Sequence, residues 1–109
     1  MRYEINKSIL SPSRARLLEL MQRLNFGFVE SLAFRDGQPV FSPPPRLVRE
    51  VKFGADNGPR PEADQRDFTL KARVLDLFAH LEALGSGVIR RLEVKHGLPF
   101  LMTVEEVIA

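Results

Sequence analysis

The sequence predicts an α+β fold: a mainly antiparallel sheet with two helices packed on one face, built from a duplicated helix–hairpin unit. The first supporting observation is an internal repeat, because GFVESLAFRDGQPVF at residues 27–41 aligns without a gap with GVIRRLEVKHGLPFL at residues 87–101. The second is helical spacing of apolar residues before each copy, and the third is a glycine turn between alternating runs within each copy. The chain of 109 residues predicts a single domain, with repeat unit one at about 11–53, a connection at 54–67 and repeat unit two at about 68–108.

The first unit begins with a predicted helix. Ser11 is a favourable N-cap residue, and Pro12 suits the first helical position, where its missing N–H would have no helical partner. Asn25 and Gly27 are residue types that commonly end helices. The apolar stripe between these signals consists of Leu17, Leu18, Met21 and Leu24.

A predicted hairpin follows this helix. Asp36-Gly37 predicts a type I′ turn, which requires positive φ at both residues. Pro39 cannot donate a hydrogen bond to a sheet and therefore predicts a strand start or an edge position. The strand before the turn alternates with a period of two, and its expected core face consists of Phe28, Leu32 and Phe34.

The second unit repeats this order, with Gly85 ending its helix and His96-Gly97 as its turn. Its helical stripe consists of Phe68, Val74, Leu77, Phe78, Leu81 and Leu84. The expected core face of its first strand consists of Val88, Leu92 and Val94. Glu30 and Arg90 occupy equivalent positions in the two units, so we expect them to pair if the two long strands are neighbours.

Further strands are predicted outside the aligned residues. Tyr3 and Ile5 indicate a short N-terminal strand, and residues 41–46, FSPPPR, are expected to be extended or irregular. A return strand is predicted from the alternation of Leu47, Val51 and Phe53. The connection is rich in glycine, proline and charge. The predicted order is therefore β-α-β-β-α-β-β.

The composition excludes several functional classes. The chain has no cysteine, which excludes disulfides, thiolate catalysis and centres with cysteine ligands. The apolar runs are too short to cross a bilayer and the first ten residues lack the apolar core of a secretory signal, so we expect a cytoplasmic protein with no membrane partner. No nucleotide-binding, zinc-protease, esterase or calcium-loop motif occurs, and we predict no cofactor and no metal site.

One pair of residues consists of the two residue types, histidine and aspartate, that often act together in catalysis. His80 and Asp76 lie four residues apart on the second predicted helix, where a carboxylate could orient an imidazole. An ordinary i,i+4 contact on the flank of a helix explains the same spacing better. We therefore predict no catalytic residue, and an enzyme is only the third functional hypothesis.

Nucleic-acid binding is the second hypothesis, because the charge is unevenly distributed. Residues 1–54 contain nine basic and five acidic residues, whereas residues 55–109 contain seven basic and nine acidic residues. A basic stripe that contacts phosphates forms if the first helix and the proline-led strand converge. Its predicted members are Arg14, Arg16, Arg23, Arg46, Arg49 and Lys52. Glu19, between Arg16 and Arg23, argues for a self-neutralised helix surface instead.

The favoured hypothesis is a small non-enzymatic protein that binds a protein partner or associates with itself, for example as a homodimer. A sheet with helices on one face leaves its other face to be covered or wetted. On the parity opposite the core we expect an apolar partner-binding patch formed by Val29, Ala33 and Ile89. Burial beneath the connection explains Val29 and Ala33 equally well, and the sequence leaves that choice open.

Overall fold

The computed structural model describes residues 11–54 and 67–106 of the chain. Two helices and five strands follow one another in the order α1 (Pro12–Leu24), β1 (Phe26–Arg35), β2 (Gln38–Val40), β3 (Arg46–Arg49), α2 (Asp67–Leu84), β4 (Gly87–Lys95) and β5 (Leu98–Glu106). The predicted N-terminal strand at Tyr3 and Ile5, most of the connection and the side chain of Phe68 lie outside the described part of the chain.

All strand pairings in the sheet are antiparallel. The strand order is β2-β1-β4-β5, and β3 pairs with β1 on the same side as β2 but nearer the beginning of β1. The prediction of an α+β fold with a mainly antiparallel sheet is confirmed. The predicted return strand exists as β3, but it ends at Arg49 rather than continuing to Phe53.

The predicted capping signals of α1 are confirmed. The Ser11 side chain accepts a hydrogen bond from the Arg14 N–H at 3.2 Å, and Pro12 is the first helical residue. Asn25 forms the C-cap with a φ of 65°, and its N–H donates to the Met21 carbonyl at 3.0 Å. Helix α1 therefore has a local capping contact at each end.

One hydrophobic core joins both helices to the sheet, so that the helices cover the same face. Its buried members from the helices are Leu17, Leu18, Met21, Leu24, Val74, Leu77, Phe78 and Leu81. Its buried members from the strands are Val29, Leu32, Phe34, Ile89, Leu92, Val94 and Leu98. The predicted helical stripes are thus confirmed for these residues, and Leu84 packs against the core while half-buried.

Both predicted hairpin turns are confirmed. Asp36 and Gly37 have φ angles of 51° and 75°, and His96 and Gly97 have φ angles of 58° and 75°. Positive φ at both central residues is the signature of the turn that matches strand twist. Pro39 lies in β2 at the edge of the sheet, as its missing N–H predicts.

The core face of β1 changes along the strand. Val29 is fully buried while Phe28 is half-buried on the opposite face, so the predicted core position of Phe28 is wrong. Ser31 has a φ of 62° and interrupts the alternation, after which Leu32 and Phe34 point into the core as predicted. A single irregular residue is enough to move all preceding side chains to the other face, because the side-chain period of a strand is two.

Strand β4 changes face at the equivalent place. Ile89 is fully buried and Val88 is half-buried, so the predicted core position of Val88 is wrong. The register with β5 shifts between Ile89 and Arg91, which marks a β-bulge that leaves Arg90 without an opposed residue on β5. Leu92 then lies in the core as predicted.

The long strands β1 and β4 are neighbours, but the predicted pair between Glu30 and Arg90 does not form. Glu30 lies opposite Arg91 and accepts a hydrogen bond from Arg91 Nε at 3.1 Å. Arg90 contacts Glu105 of β5 at 3.3 Å instead. The register between β1 and β4, which runs without a shift from the pair Phe26–Lys95 to the pair Phe34–Gly87, decides that Arg91 rather than Arg90 lies opposite Glu30.

Neither helix, within the residues that the structure describes, is long and apolar enough to cross a membrane.

Candidate functional site: the edge strand β5

The edge of β5 is the candidate functional site. This nine-residue strand is the last in the order of described strands and pairs on one side with β4. A strand at the edge of a sheet presents backbone N–H and C=O groups that are available to pair with another chain. The β5 edge is therefore a template for an added strand.

The opposite edge of the sheet is built in a way that discourages such pairing. It consists of two short strands, β2 with three residues and β3 with four residues. Pro39 lies within β2, and a run of three prolines, 43–45, precedes β3. Short strands and prolines are the devices with which proteins protect sheet edges. Along β5 the only proline is Pro99, near its beginning.

Two large apolar side chains are exposed on β5. Phe100 is 52% exposed and Leu101 is 61% exposed. The register with β4 shifts between Glu93 and Val94, which leaves Phe100 as the unpaired residue of a β-bulge. After this bulge the strand is regular from Leu101 to Thr103 against β4, with Leu101 on the face away from the helices, opposite Glu93.

A groove of about 440 Å³ runs between β5 and α2. Its walls are Arg73, Asp76 and His80 on α2 and the segment 99–101 on β5. Its floor consists of Leu77, Leu92 and Met102, two of which belong to the core. The groove thus combines an apolar floor with a polar wall beside the strand edge, as peptide-binding grooves do.

The charges near β5 differ along its length. At the beginning of the strand, Lys95 Nζ lies 4.0 Å from the centroid of the Phe100 ring, and Arg73 lines the groove together with Phe100. At its end lie Glu105 and Glu106, both exposed. Glu105 contacts Arg90, but both side chains of that pair are 62% exposed. Lys95 Nζ also lies 3.8 Å from the Glu93 carboxylate, and Asp76 shares the groove wall with Arg73, so the beginning of β5 carries charges of both signs and its end carries two carboxylates.

His80 lies in the wall of this groove, although its side chain is 62% exposed. Its Nδ1 atom lies 2.9 Å from the Asp76 carbonyl oxygen and 3.4 Å from the Asp76 carboxylate. No hydroxyl or thiol side chain occurs among the described residues that line the groove. Among the described residues no three His, Cys, Asp or Glu side chains are grouped so that they could hold a metal ion. The geometry is that of the i,i+4 contact expected from the sequence.

The arginines predicted to bind nucleic acid make contacts at separate places in the fold. Arg14 is 16% exposed and donates to the Gly37 carbonyl from Nε at 3.2 Å and Nη2 at 3.1 Å, so that it joins α1 to the first hairpin turn. Arg16 stacks on Phe41, with its guanidinium carbon 4.6 Å from the ring centroid. Arg46 donates to Glu30 at 3.0 Å on the face of the sheet away from the helices.

The remaining predicted cations lie near the end of α1. Arg49 Nη1 donates to the carbonyls of Arg23 and Leu24 at 3.2 and 2.9 Å, which satisfies the C-terminus of the helix. Lys52 is exposed three residues further along the chain. The structure therefore brings Arg23 and Arg49 together and leaves Arg14 and Arg46 elsewhere, on different layers of the fold.

The residues of the predicted partner patch do not form a surface. Val29 and Ile89 are both fully buried in the core, so the prediction that they point away from it is wrong. The reason is the change of face at the irregular residues of β1 and β4. Ala33 alone has the predicted orientation, half-buried between Val40 and Val88 on the open face of the sheet.

Comparison of the chain with protein-family models, with curated proteins and with solved structures finds no match. The edge of β5 and its groove are therefore the features of the described residues from which a function can be proposed.

Proposed function

We propose that the protein is a protein-interaction module that binds an extended segment as an additional strand along β5. The observation that carries this proposal is the combination of a long edge strand with exposed Phe100 and Leu101 and an adjoining apolar groove. In strand addition, main-chain hydrogen bonds supply affinity, and pockets for alternate side chains supply specificity. The groove floor at Leu77 and Met102 suits apolar side chains at every second position of the added strand.

The energetics favour this mode of binding. Five or six residues paired along the regular part of β5 form a similar number of hydrogen bonds, each contributing about 0.5–1.5 kcal/mol net. Covering an exposed Phe and Leu contributes about 1–2 kcal/mol for each side chain, as partial burial of such groups does. The ordering of the bound segment offsets part of this total. We therefore expect a micromolar rather than a nanomolar affinity for a single short peptide.

The test uses the full-length protein and a selection from a library of random peptides. Peptides that bind are then titrated against the wild type, Leu101→Glu and Leu47→Glu. The two variants are matched, because Leu47 is also an exposed strand leucine, 47% accessible, at the opposite edge of the sheet. Leu101→Glu should abolish binding, since it adds a charge at the centre of the site beside Glu93.

Circular dichroism and urea unfolding of both variants control for loss of fold. The proposal requires that Leu47→Glu binds the selected peptides as the wild type does. Peptides that bind Leu101→Glu as tightly as the wild type would contradict it, and so would equal losses in both folded variants.

We further propose that the two helix–hairpin units derive from a duplication. Support comes from the equal order of elements, α1-β1-β2 and α2-β4-β5, and from the positive φ angles at both aligned turns. The pairing of β1 with β4 also relates equivalent positions, since Val29 lies opposite Leu92 and Leu32 lies opposite Ile89. In this proposal β5 is the counterpart of β2 and has been lengthened from three residues to nine.

Nucleic-acid binding is the second candidate, and one observation favours it. Arg49 donates to the backbone carbonyl of Arg23 at the end of α1, so two arginine residues lie at one corner of the molecule. Two or three phosphate contacts support weak binding that depends on salt rather than on base sequence. The other predicted arginines make contacts elsewhere in the fold, so this candidate ranks below strand addition.

A further inference from the structure

We infer that the strand added to β5 is β5 of a second copy of this chain, paired antiparallel about a two-fold axis. This inference rests on the proposed function and names the partner. The two-fold axis is perpendicular to the sheet, because only such an axis joins two edges antiparallel while each side chain stays on its own face. The result is a continuous sheet of both copies with all helices on one side.

The charges along β5 favour antiparallel over parallel pairing of two copies. Lys95, which contacts Phe100, and Arg73 lie at the beginning of the strand together with Glu93 and Asp76, whereas Glu105 and Glu106 lie at its end. Antiparallel pairing brings the acidic end of each copy towards Lys95 and Arg73 of the other, and it does so twice. A parallel arrangement would bring the two acidic ends together, where like charges repel.

The bulge at Phe100 selects the register. The strand is free of irregularity from Leu101 onward, and a symmetric pairing that uses this run is centred on Thr103. Leu101 then lies opposite Glu105 of the second copy, and Phe100 lies near Glu106 of the second copy. On the helix side, Met102 lies opposite Val104 of the second copy.

These opposed residues fit one another chemically. Met102 and Val104 are both partly buried and pack against the core, so the pair extends the apolar layer of each copy into its neighbour. Thr103 lies opposite itself, and Thr–Thr pairs are favourable across antiparallel strands. In this register Glu105 of each copy faces Leu101 of the other and Glu106 faces Phe100, so the carboxylates do not face each other.

The experiment exploits the absence of cysteine from the chain. In the full-length protein, Thr103→Cys introduces a single thiol that lies opposite its own copy, with Cβ atoms about 5 Å apart. Glu105→Cys is the matched control, because in this register its two copies are separated by four residues, or about 14 Å. A mild oxidant should convert Thr103→Cys into a covalent dimer of doubled mass, while Glu105→Cys stays monomeric under denaturing electrophoresis.

Sedimentation of the unmodified chain over a range of concentrations measures association independently. We expect the mass of the wild type to rise to twice the monomer mass and Leu101→Glu to remain at the monomer mass. Leu101→Lys should retain the dimer, because the lysine faces Glu105 of the second copy. A crosslinking rate for Thr103→Cys no higher than that of Glu105→Cys would overturn the inference.

The failure of this inference is distinguishable from failure of the proposed function. A wild type that stays monomeric at all concentrations, yet binds selected peptides that Leu101→Glu does not bind, excludes the second copy and retains strand addition. A monomer that binds no such peptide excludes both.

Discussion

Replacing Gly37 with alanine tests how the first hairpin turn is anchored to both helices. Gly37 has a φ of 75°, and an added Cβ would lie 3.0 Å from the Cα of Glu82 on α2 and 3.0 Å from Arg14 Nη2. The left-handed conformation alone costs an alanine about 1–2 kcal/mol. The crowding also displaces Arg14 from the Gly37 carbonyl, which puts at risk two hydrogen bonds of about 1 kcal/mol each. The expected loss in the free energy of unfolding is therefore about 2–4 kcal/mol.

Gly85 provides the matched control, because its φ of 84° is similar but an added Cβ would meet nothing within 4 Å. Gly85→Ala should lose only the conformational part, about 1–2 kcal/mol. Gly97→Ala should resemble it, since the nearest atom would be Gln22 Cα at 3.4 Å, an ordinary contact. Urea unfolding measures all three variants, and an unchanged m-value shows that stability alone has changed. Equal losses for Gly37→Ala and Gly85→Ala would refute the argument that Arg14 and Glu82 clamp this turn.

Two further outcomes are expected. Ser11→Ala should lower the free energy of unfolding by about 1–2 kcal/mol, because the hydroxyl caps α1 and donates to the Gln38 side chain. The control is Ser42→Ala, at an exposed serine, and both variants are measured by urea unfolding. Equal losses in the two variants would contradict a specific contribution from the cap. Titration with random-sequence DNA and RNA should show at most weak binding that disappears at physiological salt and is lost in Arg23→Gln. Tight binding that Arg23→Gln leaves unchanged would contradict the assignment of that corner.

The sequence predicts those parts of the fold that depend on neighbouring residues. Ser11 and Pro12 identify the start of α1 because a capping hydroxyl and a fixed φ act locally. Gly37 and Gly97 identify the hairpins because a tight turn requires positive φ within two residues. Helical stripes are equally readable, since one face of a helix must meet the core.

The strand faces were harder to predict, because one irregular residue reverses them. Ser31 adopts a left-handed conformation that no sequence signal marks, and the bulge at Arg90 depends on pairing with β5. Both lie near the middle of their strands. A strictly alternating pattern therefore assigns Val29 and Ile89 to a partner surface, whereas both side chains are buried in the core. The partner of Glu30 is set by the register between β1 and β4, which pairs it with Arg91 rather than Arg90 and which no local pattern specifies.

The position of β5 at the edge is a long-range property that a linear pattern does not contain. A local signal was nevertheless present, because residues 100–104, FLMTV, contain neither proline nor charge and follow a turn. The arginine positions suggest a nucleic-acid interface for a different reason, namely that two roles of arginine share one sequence pattern. A guanidinium that satisfies helix carbonyls, as Arg49 does, and one that contacts a phosphate have the same sequence signature.

The open face of the sheet is a less favourable interaction surface than its edge. At its centre the Glu30 carboxylate is only 12% exposed and accepts hydrogen bonds from both Arg46 and Arg91. Arg91 also covers the Phe28 ring, with its guanidinium carbon 4.6 Å from the centroid. Stacking a second sheet on this network would desolvate three charged groups, each at a cost of several kcal/mol that the existing pairs only partly offset. At the β5 edge, the groups removed from water are two apolar side chains and backbone amides that gain partners. Association along the edge therefore gains both hydrophobic burial and new hydrogen bonds. Association through the face would instead remove water from the charged network, and this cost would oppose any gain from hydrophobic burial.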